Sequence, residues 1–133
     1  MTKLNIMASR HSAFYSPMIC TIAGGFLEKE GLCGEYHVVE AGDSSGGAVA
    51  EGRMDVAQAA VSASWSPLDK GTRPAFAHFA QINRYDGFFI AARESDTDFS
   101  WSKLLRGKFL YVHGGQPEAM LRYGAFKQGL DLS

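Results

Sequence analysis

Long apolar runs are absent from this 133-residue sequence, and neither sign of charge is in excess. The apolar stretches are short and interrupted, so no segment predicts a membrane-spanning helix. Lys and Arg number 13 and Asp and Glu number 14, which gives a formal net charge of -1. A basic surface for nucleic acid or for an anionic membrane is therefore not expected, and any recognition by charge has to be local.

Cysteine is scarce as well, because Cys20 and Cys33 are the only two. A helix over residues 17–30 would hold Cys20 roughly 15 Å from its carboxyl end. Cys33 follows that end closely, so a disulfide would need a Cα separation that this geometry does not offer. Neither cysteine lies in a CxxC pair or at ligand spacing from a histidine. We therefore predict two free thiols, no metal site and no cofactor.

The amino terminus carries no apolar signal core, since a strand-like run over residues 4–8 begins almost at once. A secretory signal would place a basic segment and an apolar core ahead of that strand. We expect either a cytosolic protein or a periplasmic or cell-envelope protein whose signal peptide has been removed.

Strand and helix patterns alternate over the first 93 residues. Ser16-Pro17 is a typical helix start, and Gly31 a typical left-handed helix end. The predicted strands cover residues 4–8, 36–40, 55–60, 74–82 and 87–93, and the predicted helices cover 17–30, 46–53 and 62–70. Alternation of this kind predicts an α/β fold with a parallel sheet flanked by helices.

A polar, acidic stretch at residues 94–99 predicts a linker, after which the pattern begins again. A helix is predicted at 100–105, a strand at 108–113 and a helix at 114–129. Because one strand cannot form a sheet, we predict a first α/β lobe over 1–93 and a second lobe over 100–133 that is only begun. Its apolar side chains should be covered by another copy of the chain, as a homo-oligomer, or be disordered. These are Phe109, Tyr111, Leu121 and Phe126.

Three blocks of the sequence resemble a known family. They are GFLEKEGL at residues 25–32, EGRMDVA at 51–57 and WSKLLRGKFLYV at 101–112. In this order the chain resembles the type 2 periplasmic solute-binding proteins of the nitrate, sulfonate and taurine transport group, together with their thiamine-pyrimidine-precursor relatives. The resemblance covers the whole chain and about the first half of a typical family member.

The resemblance implies two α/β lobes that close on a small molecule and deliver it to the membrane permease of an ABC transporter. It places the ligand-facing loops at residues 9–15, 42–45, 61–64, 83–84 and 113–116. The biosynthetic relatives on the same scaffold carry a reactive histidine that would fall near Ala63, where this chain has no histidine. A binding protein is therefore favoured over an enzyme, with the thiamine-pyrimidine-precursor protein as the alternative.

The strand-end loops point to a binding site independently of the family. In open parallel sheets, ligands bind beyond the carboxyl ends of the strands, where helix amino termini offer free N–H groups to an anion. Serines there also serve as helix caps, which is the simpler account of any one of them. Taken together, the loops predict a site for a small anion. The candidate ligand-binding residues are Ser9, Arg10, His11, Tyr15, Gly42, Ser44, Ser45, Ser62, Asn83, His113 and Gln116.

Aromatic and histidine side chains complete the candidate set. His11 and His113 lie in predicted strand-end loops, where an imidazole can donate to an oxyanion. His37 and His78 fall within predicted strands, where packing or hydrogen bonding is expected. The organic body of a ligand would rest against Phe14, Tyr15 or Trp65, although simple packing of Trp65 on the sheet is equally expected.

Residues 42–46 also match the G-x-S-x-G pattern of a hydrolase nucleophile elbow. That motif would need an acid and then a histidine downstream, a place that His113 could take. A hydrolase of that fold, however, has several strands before the elbow, and only two are predicted here. Gly/Ser turns between strand and helix are common, so the hydrolase interpretation is disfavoured.

Overall fold

The computed structural model describes residues 1–85 and 87–132. The chain divides into two compact units, Met1–Ile82 and Asn83–Ser133, and each is described by itself. The lobe boundaries predicted from composition, with a linker over 94–99, stay a prediction.

The first unit is built on a parallel sheet of three strands. They are β1 (Thr2–Ala8), β2 (Leu32–Val38) and β3 (Val56–Gln58), in the spatial order β2-β1-β3. The central strand β1 carries the core, because Ile6, Met7 and Ala8 are all buried. The predicted fold class is confirmed: a small parallel sheet flanked by helices, as expected for one partial lobe.

Helices connect the strands as the sequence pattern indicates. Helices α1 (Ser16–Ala23) and α2 (Phe26–Lys29) lie between β1 and β2, and α3 (Ser45–Ala50) lies between β2 and β3. A 3-10 turn at Val61–Ser64 leads from β3 into α4 (Trp65–Asp69). Ser16 is the first residue of α1 rather than its cap, which is Tyr15, and Pro17 stands in the first turn.

The single helix predicted over 17–30 is wrong, because the structure interrupts it between α1 and α2. Gly24 and Gly25 donate to the carbonyls of Cys20 and Ile22, which ends α1. Gly25 then adopts a left-handed backbone with φ 67°, which favours glycine, and begins α2. The apolar face continues across the break, so periodicity alone did not show it.

The packing of this helical segment on the sheet depends on Gly34 in β2. A Cβ at Gly34 would lie 2.7 Å from Cδ1 of Leu27 and 3.1 Å from Cδ1 of Ile6. Because glycine has no side chain, Leu27 can approach the sheet closely and cover Ile6. The sheet face that carries Ile6 is therefore the face on which α1 and α2 pack.

Three predicted strands are not found among the described residues: 74–82, 87–93 and 108–113. Strands are defined by backbone pairing, and no described strand pairs with these segments. Several of their large apolar side chains lie in solvent instead, with Phe89 90% and Leu110 92% exposed. His78, placed within the first of these strands, is therefore outside any strand. The turn predicted over 83–87 includes Asp86, which lies outside the described residues.

The second unit contains a 3-10 helix at Trp101–Arg106 and helix α5 (Gly115–Lys127). The two pack through Gly124, where a Cβ would lie 3.0 Å from the ring of Trp101. Ala125 is buried on the same helix. Over the described residues, no helix has both the length and the apolar character to cross a membrane.

Candidate functional site

The carboxyl ends of the three strands meet in register at one edge of the sheet. Ala8, the last residue of β1, lies opposite Val38 of β2 and Gln58 of β3. Because β2 and β3 flank β1 on opposite sides, the chain leaves β1 toward one side, to β2, and then crosses back over β1 to β3 on the other side. A reversal of this kind opens a crevice at the carboxyl edge, where ligands bind in open α/β sheets. The loops that begin after residues 8, 38 and 58 therefore share this edge.

The loop after β1 presents one unpaired cation and two aromatic contacts. Arg10 is exposed, and within residues 1–85 and 87–132 it has no hydrogen-bond or ion-pair partner. His11 turns toward β2, where its Nδ1 lies 3.3 Å from the hydroxyl of Tyr36 and the two rings meet edge to face. Tyr15 is buried and contacts Phe14 edge to face. Of the residues predicted in this loop, Arg10 is therefore the one available to a charged ligand.

The loop after β2 is folded by Ser44, which caps α3. The Oγ of Ser44 accepts the N–H of Gly47 at 3.0 Å, and the N–H of Ser44 donates to Oδ1 of Asp43 at 2.7 Å. Gly42 has φ 86°, a left-handed turn conformation. Ser45 is buried at the start of the helix. The prediction that Ser44 or Ser45 caps this helix is confirmed for Ser44.

A cleft of about 340 Å³ opens beside this loop. Most of its lining residues are small, and Phe76 forms its one aromatic wall. A Cβ at Gly46 would lie 2.8 Å from the ring of Phe76, so the cleft depends on the glycine. Its lining consists of Ser44, Ser45, Gly46, Gly47, Ala50, Ala63, Pro67, Ala75 and Phe76. Two predicted site residues, Ser44 and Ser45, thus line one largely apolar cleft with a hydroxyl-bearing end.

Other predicted residues lie around this cleft without forming its walls, as far as the structure describes them. Ser62 is half-buried in the 3-10 turn that follows β3, next to the lining residue Ala63. Trp65 begins α4 and is partly exposed. His78 lies 3.4 Å from the hydroxyl of the buried Ser64, with its Nε2 as the contacting atom. Hydrogen bonding of His78 is therefore confirmed although the strand is not.

A cluster of ion pairs contacts the loop after β2 through Asp43. The sequence patterns do not predict this cluster. Both terminal nitrogens of Arg53 donate to the carboxylate of Asp43, at 2.8 and 3.0 Å, and its Nε donates to Glu51 at 2.8 Å. Hydrogen bonds from Arg53 and from the Ser44 N–H hold the pKa of Asp43 below its usual range. The bonds to Asp43 and Glu51 raise the pKa of Arg53. Asp43 and Arg53 are therefore both charged at neutral pH.

The predicted residues Asn83, His113 and Gln116 belong to the second unit, and their place in a binding site stays a prediction. Gln116 lies in the first turn of α5, and His113 is exposed just before it. Glu118 already occupies this helix start: its Oε2 accepts the N–H of Gly114 at 2.5 Å, and Nδ1 of His113 lies 3.2 Å away. The Gly114 N–H, then Arg122, then His113 lower the pKa of Glu118. An anion at this helix start would have to displace the Glu118 carboxylate.

Cys20 and Cys33 are free and exposed, as predicted. Among the described residues, no three or more His, Cys, Asp or Glu side chains are grouped so that they could hold a metal ion.

The sequence is similar to "Putative binding protein YtlA" of Bacillus subtilis (strain 168). The two are 29% identical over 132 residues, which make up 98% of this chain and 40% of the relative. The chain thus spans about 40% of the length of the relative that it matches. No family model and no solved structure matches the chain. The similarity supports a binding role in general.

Proposed function

We propose that the chain forms part of a solute-binding protein of an ABC-type importer and that its ligand is a small organic anion. The observation that carries this proposal is the edge where three parallel strands end in register, with Arg10 unpaired after the central strand. A serine-bearing cleft opens beside the next loop. Similarity to a named binding protein supports the same class of function.

Two features of the edge set the chemistry of the ligand. A guanidinium that is not already paired can form charge-assisted, bidentate hydrogen bonds with a carboxylate or sulfonate, and Arg10 is in that state. The cleft is mostly apolar, and its Phe76 wall suits carbon rather than a bare ion. An anion with an organic body therefore fits better than nitrate alone. The hydroxyl of Ser9 is a further donor on the same loop as Arg10.

The same proposal includes delivery of the ligand to a membrane permease. Such delivery requires a location on the outer side of the membrane, which is therefore also proposed. They follow from the importer function and from the resemblance in the sequence. The second candidate is a protein that binds a thiamine-pyrimidine precursor on the same scaffold. The ring of Phe76 in the wall of the cleft favours this candidate, because an aromatic ligand can stack against it.

Titration calorimetry on the complete protein that contains this chain separates these candidates. The ligands are nitrate, methanesulfonate, taurine and a neutral hydroxymethylpyrimidine. We expect methanesulfonate and taurine, which each carry a sulfonate on an organic body, to bind more tightly than nitrate. Arg10→Ala should weaken their binding by about 10- to 150-fold, the equivalent of about 1.5–3 kcal/mol for hydrogen bonds to a charged group.

The matched control is Lys3→Ala, which removes a cation at the opposite, amino end of β1 where Lys3 pairs with Glu35. It should leave anion binding unchanged. Tight binding of the neutral pyrimidine with no anion binding would favour the second candidate. An anion affinity equal in Arg10→Ala and the unaltered protein would contradict the role of Arg10.

A further inference from the structure

We propose that Arg53 is a positioning residue for the 42–47 loop, and that it makes this loop acceptable to an anion by neutralising Asp43. The inference rests on the proposed function, because it concerns the loop that lines the proposed binding cleft. Arg53 itself is not among the residues that line the cleft, within the part of the chain that the structure describes. Its effect on a ligand is therefore exerted through Asp43.

The contact between Arg53 and Asp43 is a two-point contact. One terminal nitrogen of the guanidinium donates to Oδ2 at 2.8 Å and the other donates to Oδ1 at 3.0 Å. The third donor, Nε, is fixed by Glu51 at 2.8 Å, so the plane of the guanidinium is held as well as its position. Lysine has one nitrogen and cannot reproduce this planar fork.

The carboxylate of Asp43 passes this constraint to the loop. Its Oδ1, which Arg53 holds, also accepts the N–H of Ser44 at 2.7 Å. Ser44 in turn accepts the N–H of Gly47 through its hydroxyl and the N–H of Ala48 through its carbonyl. On the other side, the N–H of Asp43 donates to the carbonyl of Glu40 at 3.1 Å. The side chain of Asp43 therefore anchors the half of the turn that carries Ser44 and Ser45, and the backbone N–H of Asp43 closes the other half.

The backbone after α3 returns Arg53 to the start of that helix. Gly52 adopts φ 73° and turns the chain, and the N–H groups of Arg53 and Met54 both donate to the carbonyl of Ala48. This fold-back explains how two residues ten positions apart form a fork. The EGRMDVA block thus contains a residue that acts on the loop before α3.

Charge gives Arg53 its second effect. An unneutralised carboxylate at position 43 would lie next to Ser44 and would repel an anion in the cleft. Arg53 balances that charge through direct contact. Both partners are partly exposed, so solvent and salt reduce the electrostatic effect of either charge. We expect the loss of this charge balance to change anion affinity by about two- to fivefold.

The ligand experiment compares Arg53→Gln with Asp43→Asn in the complete protein. The probes are methanesulfonate and dimethyl sulfone, a neutral molecule of similar shape. Arg53→Gln should weaken methanesulfonate binding, because it loosens the loop and leaves the Asp43 charge unbalanced. Asp43→Asn also loses the two-point contact, but it removes the negative charge and keeps an acceptor for the Ser44 N–H, so it should cost less affinity than Arg53→Gln. The difference between the two variants should be absent for dimethyl sulfone, because this probe carries no charge. Lys3→Gln and Glu35→Gln are matched controls, because they remove one charge each from an ion pair at the other end of the sheet.

A second readout needs no ligand. Hydrogen exchange of the Ser44 and Gly47 amides should be at least about tenfold faster in Arg53→Gln, and also faster in Arg53→Lys, which keeps the charge and loses the fork. Unchanged exchange in both variants would overturn the positioning role. Equal losses of methanesulfonate affinity in Arg53→Gln and Asp43→Asn would overturn the charge role. Arg53 would then act on the loop only by positioning it. A protein that binds no anion in any of these forms refutes the proposed function, whereas one that binds but responds equally to both changes refutes this inference.

Discussion

The side chain of Ile6 should be the largest single contribution to the stability of the first unit. Ile6 is 5% exposed in the central strand, pairs with Tyr36 and Val56 on either side, and lies beneath Gly34. Ile6→Ala removes three carbon atoms, worth about 2.4 kcal/mol at about 0.8 kcal/mol each. A residual cavity adds to this cost, because Gly34 has no side chain to fill it. Leu27 can move partly into the space, so we expect a loss of about 2.5–3.5 kcal/mol.

Urea unfolding followed by fluorescence measures this loss. Trp65 reports on the first unit if Trp101 of the second unit is replaced by Phe. With a slope near 1–1.5 kcal/mol/M for a unit of this size, the midpoint should fall by about 2–3 M. The matched control is Ile82→Ala, because Ile82 is 50% exposed and its loss should cost under about 0.5 kcal/mol. Equal midpoints for the two variants would refute the assignment of the core to β1.

The other two predictions concern the second unit. The pKa of Glu118 is lowered in the folded state, so its stabilising effect is present above the ordinary value of 4.5 and is lost as the pH falls through the folded pKa. Thermal melting of Glu118→Gln should therefore differ from that of the unaltered protein above pH 4.5 and converge with it in stronger acid; a constant difference would contradict this. The second unit also exposes three large apolar side chains, Leu110, Tyr111 and Phe126. We therefore expect sedimentation velocity to show self-association that Phe126→Asp reduces, and a protein that stays monomeric at high concentration would contradict this prediction.

Much of the first unit follows from local sequence patterns. The strands at residues 4–8, 36–40 and 55–60 overlap β1, β2 and β3, and Ser44 caps the helix that follows the second of them. The prediction at residues 36–40 overlaps β2 only over 36–38, whereas 4–8 lies within β1 and 55–60 contains β3. The cap is recognisable because it is specified by neighbouring residues. Parallel order could be anticipated because the connections are helical.

The remaining segments were harder to predict because strand formation is not a local property. Residues 87–93 have the composition of a strand, yet Phe89 and Ile90 remain exposed because no described strand pairs with them. Composition predicts the capacity to be buried, and a partner has to be present for burial to occur. The break at Gly24–Gly25 was missed for a related reason, since the apolar face of the helix continues through it.

The candidate site shows the same division between local and distant information. Serines in the strand-end loops are visible as a pattern, whereas the fork between Asp43 and Arg53 joins residues ten positions apart and depends on the turn at Gly52. A useful signal was present: an acid beside the capping serine and a base just after the short helix. Glu118 gave a similar signal, as an acid in the first turn of α5, where it accepts the N–H of Gly114.

The charges of the first unit explain how a chain with a net charge of -1 can present a site for an anion. Asp43, Arg53 and Glu51 together carry one negative charge, and the unpaired Arg10 on the neighbouring loop carries one positive charge. These charges are partly exposed, and salt screens them over a Debye length of about 8–10 Å, so little long-range steering of an anion is expected. Recognition then depends on which charges the ligand can touch. Asp43 and Glu51 are held by Arg53, whereas Arg10 is not held, so the positive charge is the one that an anion can contact directly.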